Sequence, residues 1–129
     1  MASLLLSLAA LIEGATGIAL IISPQVVSRL LLGADLAVAG IAVGRVAGIA
    51  LLSLGLGCWL SRRDFKKTSA LAAMLSYNLL VTTYLTYLGL GGELIGALLW
   101  PAIALHSVMT LLFAYVRFNN RQPKQAHPG

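Results

Sequence analysis

Four stretches of this chain, residues 3–22, 36–60, 69–88 and 94–116, each run for twenty residues or more with at most one acidic or basic side chain. A hydrocarbon core roughly 30 Å thick is crossed by about 20 apolar residues in an α-helix. Inside lipid each backbone N–H and C=O has to be satisfied within the segment itself, so helices are the structure open to such runs. The whole chain agrees, with 59% of its 129 residues apolar, 10% charged and a mean hydropathy of +0.90. A water-soluble domain carries about 25% charged residues. The expected fold is therefore all-α, an integral membrane four-helix bundle forming one domain over residues 1–118, with a disordered basic tail over 119–129. The opening MASLLLSLAALIEG has no basic n-region, and an acid breaks its apolar run. It is expected to stay in place as the first span.

The breaks between the runs are chemically distinct. In SPQVVSRLLLGAD (23–35), Ser23 stands as a candidate N-cap, Pro24 at the first helical position and Gly33 as a stop. Val26, Val27, Leu30 and Leu31 share one face, which predicts a short helix lying in the membrane interface. SRRDFKK (61–67) forms the second break, and GLGGE (89–93) a tight third one. Arg62, Arg63, Lys66, Lys67, Arg117, Arg121 and Lys124 fall on one side of the expected membrane, and Arg29 alone on the other. Under the positive-inside rule both termini should be cytoplasmic, in a bacterial inner membrane. Trp59 and Tyr115 then belong near the inner interface and Tyr87 near the outer one.

Depth can be counted from the ends of the runs. Glu13 lies eleven residues from Pro24, roughly 16 Å below the boundary, and Arg45 ten residues from Asp35, about 15 Å down. The two spans are consecutive and antiparallel, so acid and base are expected to pair at the midplane. Asn78 and His106 each stand eleven residues from a basic residue, Lys67 and Arg117. Each span thus adds one polar side chain to a common layer, and Thr82 and Thr110 lie one turn beyond. An ionisable residue at that depth costs several kcal/mol unless paired, and it marks a functional site more often than it does in water. A pair that only sets helix register is the plainer alternative.

Small residues supply candidate packing ridges: Gly40, Gly44 and Gly48 on span two, Ala10 and Gly14 on span one. Pro101 is expected to kink span four one turn before His106. The lone Cys58 excludes an internal disulfide. There is no phosphate-binding glycine loop, nucleophile elbow or metal-ligand cluster, which argues against a catalytic role. Bis-histidine haem needs a second buried imidazole, and His127 is in the tail, so haem would require a dimer or a partner subunit. A quinone carbonyl asks only for the one donor that His106 can offer. The basic balance sits at the membrane edges and predicts contact with anionic lipid, not nucleic acid.

Two families share parts of this pattern. LAALIEGATG (8–17) is similar in position to the first span of the small multidrug resistance transporters, where a glutamate matching Glu13 exchanges protons for cationic drugs. The aromatic residues of that family's chamber lack counterparts here, and Arg45 opposes a cationic substrate. GRVAGIALLSLGLGCWL (44–60) and SPQVVSRLLLG (23–33) resemble the small bacterial four-span proteins grouped with DoxX, over about half of the chain. That resemblance implies a membrane subunit linked to quinone-dependent redox systems, and it assigns no catalytic residue. Two expectations follow. One is a non-catalytic accessory subunit or binder of a lipid-like or quinone-like ligand, with a membrane partner subunit or a homodimer as its assembly. The other is a proton-coupled transporter in which Glu13 carries the proton and Arg45 attracts the solute.

Overall fold

The computed structural model describes residues 1–64 and 68–119, in which five helices follow one another: α1 (Ala2–Ile22), α2 (Pro24–Leu32), α3 (Val38–Ser61), α4 (Thr68–Gly91) and α5 (Leu99–Asn119). Helices α1, α3, α4 and α5 are long and apolar enough to cross a membrane. This is the expected all-α four-helix bundle, with the short helix between spans one and two. Lys66, Lys67 and the tail beyond Asn119 lie outside the described residues, while Asn119 itself ends α5.

Helix α2 begins with Pro24 at its first position, where a missing N–H costs nothing. It ends at Gly33, whose φ of +70° suits a residue without Cβ. Ser23 occupies the N-cap position, but its side chain makes no capping hydrogen bond. The face against the bundle is small and polar: Pro24 and Ser28 are buried, and the Ser28 hydroxyl donates to Ala34 O at 2.8 Å. Val26 and Leu30 point outward, where a membrane interface would receive them. After α2 the chain is held by side chains. Gln25 Nε2 donates to Asp35 Oδ1 at 3.0 Å, Leu36 N donates to Gln25 Oε1 at 3.1 Å, and Arg29 pairs with Asp35. The Arg29 hydrogen bond holds the Asp35 carboxyl below its usual range.

The fourth run enters its helix later than its apolarity implies, at Leu99. Residues 95–98 instead lie along the end of α2, with Gly96 N donating to Leu31 O (3.2 Å) and Leu98 N to Leu30 O (2.8 Å). This corrects the expectation for Pro101. It falls in the first turn of α5, where no intrahelical partner for its N–H exists, so it starts the helix and does not break it.

The helices associate as two pairs, α1 with α3 and α4 with α5, and α1 joins the pairs. Lipid gives apolar faces no reason to leave it, so close backbone approach and dispersion must supply the attraction. The α1–α3 seam shows how. A Cβ on Gly48 would lie 2.7 Å from Gly17 O, one on Gly17 2.7 Å from Gly48 O, and one on Gly55 2.9 Å from Ala10 O. Contact thus recurs every seven residues on both helices, two turns apart. Gly40 and Gly44 do not extend that seam: Gly40 faces Leu36, and Gly44 faces Pro24. The apolar core collects at the end away from α2, from Leu5, Leu6, Ala9, Cys58, Leu71, Met74, Met109, Phe113 and Val116.

Candidate functional site

Between that core and α2, polar side chains from three helices meet. Glu13, only 3% exposed, reaches toward α4, and the Tyr77 hydroxyl donates to its Oε2 at 3.0 Å. Asn78, 1% exposed, donates through Nδ2 to Met74 O, the carbonyl four residues back on its own helix, at 2.8 Å. Its Oδ1 lies 2.8 Å from His106 Nδ1 on α5. The His106 ring stands edge-on to that of Tyr77, with centroids 5.9 Å apart and planes at 77°. One chain of contacts therefore runs Glu13, Tyr77, His106, Asn78 across α1, α4 and α5. Thr110 donates to His106 O at 2.8 Å, whereas the enclosed Thr82 hydroxyl has no partner.

Arg45 is not part of this layer, which corrects the expected acid–base pair. It is exposed, and Glu13 is met by a tyrosine instead. The α1–α3 register explains the separation. Gly48 sits against Gly17 and Ile21, and Gly55 against Ala10 and Gly14. Glu13 is accordingly level with the stretch just before Gly55, while Arg45 is level with the end of α1. The offset is roughly nine residues of helical rise, or about 13 Å. Gly44, next to Arg45, touches Pro24 at the start of α2. Arg45 thus stands at the boundary end of its span, where a long side chain can reach the headgroups. Counting from Asp35 failed because residues 33–37 form a non-helical connector before α3 begins at Val38.

Three of the four residues picked out by depth, Glu13, Asn78 and His106, are brought together. Tyr77 was missed. Tyrosines in membrane spans belong near the interfaces, and Tyr77 sits nine residues inside α4. That misplaced aromatic was the available signal.

The arrangement can hold an uncharged polar group and can pass hydrogen bonds from one helix to the next. Each of the three helices contributes through a side chain whose own position is fixed by another. The chain matches no protein-family model, no curated protein and no solved structure.

Proposed function

We propose that this small multi-pass membrane protein is a non-catalytic binder of an amphipathic, lipid-like or quinone-like molecule, acting alone or as the accessory subunit of a membrane complex. Its setting is a bacterial inner membrane with both termini cytoplasmic. The observation that carries the reading is His106, half-buried at the level of the layer and oriented by a fully buried asparagine. Binding sites for small molecules set a few oriented polar groups in an apolar wall, and this layer has that composition. The likeness of residues 23–33 and 44–60 to the DoxX group agrees with an accessory role.

Native mass spectrometry of the protein released gently from detergent tests this. A bound species of a few hundred daltons is expected on the wild type and should be lost on His106→Ala. Bare protein in every detergent tried would overturn it.

A second reading, proton-coupled transport of a small solute, draws on Glu13, whose neighbour is a hydroxyl and not a cation. Arg45 has no place in its coupling step. On this reading Glu13→Gln gives a folded protein that no longer dissipates a pH gradient across vesicles; equal proton flux in both proteins removes Glu13 from coupling.

A further inference from the structure

One contact sets the hydrogen positions of the layer. Asn78 donates to Met74 O, and a carbonyl can only accept, so the amide nitrogen lies on that side and Oδ1 faces His106. Oδ1 also only accepts, so the hydrogen between the two residues belongs to His106 Nδ1. In the neutral ring the other nitrogen, Nε2, then carries a lone pair and no hydrogen. Among the described residues no side chain or backbone group donates to it, and it is not sealed in: the fully enclosed side-chain polar atom without a partner there is Thr82 Oγ1.

Thr82 is the second unusual group. Ser7, Ser53, Thr83, Ser107 and Thr110 each donate to the carbonyl four residues back on their own helices, at 2.7–2.9 Å. Thr82 does not, although the same carbonyl lies behind it. It follows Asn78 by one turn on the same face of α4. That hydroxyl is enclosed by the protein, so the unmet group of the layer that a ligand can reach is His106 Nε2 on α5.

We infer that the ligand's polar end is a hydroxyl, of a lipid-like alcohol or phenol, which donates to His106 Nε2. This deepens the ligand-binding reading above and rests on it. A hydroxyl carries the hydrogen that the Nε2 lone pair can accept. A ketone, ether or ester oxygen would turn a lone pair toward the lone pair of Nε2. Of the ligands proposed above, the site should thus take alcohols and hydroquinones and reject the oxidised quinone.

The test uses nonylphenol and its methyl ether, which share an apolar body and differ in the donor. The full-length protein is placed in lipid nanodiscs with 15N-labelled histidine. Without a probe, the His106 spectrum should show Nδ1 protonated and Nε2 bare. Nonylphenol should bind about tenfold tighter than the ether, the size of one net hydrogen bond, and should shift the Nε2 resonance. In His106→Phe the preference should vanish. Should that variant fail to fold, the wild-type spectrum decides alone, because a protonated Nε2 with a bare Nδ1 would overturn the inference. Equal affinity for phenol and ether would also overturn it while leaving ligand binding intact. If neither probe perturbs the His106 resonances and native mass spectrometry finds no bound species, the ligand-binding reading fails and this inference fails with it.

Discussion

At the level of single residues, Glu13 depends on Tyr77. The tyrosine hydroxyl is its hydrogen-bond donor in a setting that water does not reach. Tyr77→Phe should destabilise the protein by about 1–2 kcal/mol, because it leaves a buried acceptor unmet. Interhelical hydrogen bonds in membranes average about 0.6 kcal/mol and reach about 1.7, so a double-mutant cycle over Glu13 and Tyr77 should give a coupling in that range. The same cycle over Glu13 and Arg45 should give nearly none. Exchanging acid and base between those two positions should therefore fail to restore what Glu13→Arg alone damages. Reversible unfolding in bicelles reads all of these, and recovery by the charge exchange would sink the register described here. Asn78→Leu offers an independent check. It strands the His106 N–H as well as removing its own hydrogen bonds, and the expected loss is about 1–3 kcal/mol. Glu13, Asn78 and His106 were legible in the sequence because polar groups stand out in apolar runs. Their partners were not, since a partner is set by how helices slide past one another, and composition does not record that.

Whole elements raise a different question: why some glycines are indispensable and others are not. Gly17, Gly48 and Gly55 lie where the backbones of α1 and α3 touch, and a methyl group there would press into main-chain atoms that cannot rotate away. Gly14 and Gly57 have nothing within 4 Å of the position a Cβ would take. Gly48→Ala and Gly55→Ala should each cost about 1–3 kcal/mol as overpacking. Gly14→Ala and Gly57→Ala should be neutral or slightly stabilising, since alanine is the better helix former. Thermal unfolding in detergent separates the two sets; equal losses in all four would mean that the seam is elsewhere. The sequence marked small residues at a spacing of four along span two, but the working contacts repeat at seven. An i, i+4 pattern shows where two helices can approach, and only the partner's shape decides which of the candidates do.

The α2–α3 connection can be tested by acid. Arg29 lowers the Asp35 carboxyl below its usual range, and a depressed acid stabilises above its ordinary pKa and loses that contribution as pH falls through the lowered value. The protection factor of the Leu36 amide, which donates to Gln25 beside Asp35, should therefore fall on acidification, once the exchange rate is referred to the intrinsic rate at each pH. Asp35→Asn should already show the lower protection at neutral pH and little further change. Unchanged protection down to the acid limit would show that the connector does not rely on this carboxylate.

For the molecule as a whole, the architecture binds topology to charge. Four spanning helices put both ends of the chain on one side, and the apolar core lies at that same end, with α2 and the 92–98 segment at the other. Moving Arg45 from mid-membrane to the boundary changes the balance of charge. It joins Arg29 on the α2 side, while Arg62, Arg63 and Arg117 lie at the other end, and Lys66, Lys67, Arg121 and Lys124 follow the same span ends in the sequence. Seven against two is still a decisive bias, because topology follows the lysines and arginines close to the span ends. The structure also adds an anchor on the basic side: the Arg62 guanidinium lies 3.2 Å from the centroid of the Trp59 ring, and its Nη1 donates to Trp59 O at 2.7 Å. A tryptophan capped by an arginine at a helix end suits the headgroup layer, with the ring in the apolar zone and the cation toward phosphate. A reporter that is active only in the cytoplasm, fused after Gly129, should therefore be active, and the same reporter inserted after Asp35 should be silent. Replacing Arg62 and Arg63 by Gln together should weaken this bias without abolishing it, since five basic residues remain on that side. Activity from the Asp35 insertion in the unaltered protein would reverse the whole assignment, and would put α2 and Arg45 at the cytoplasmic face.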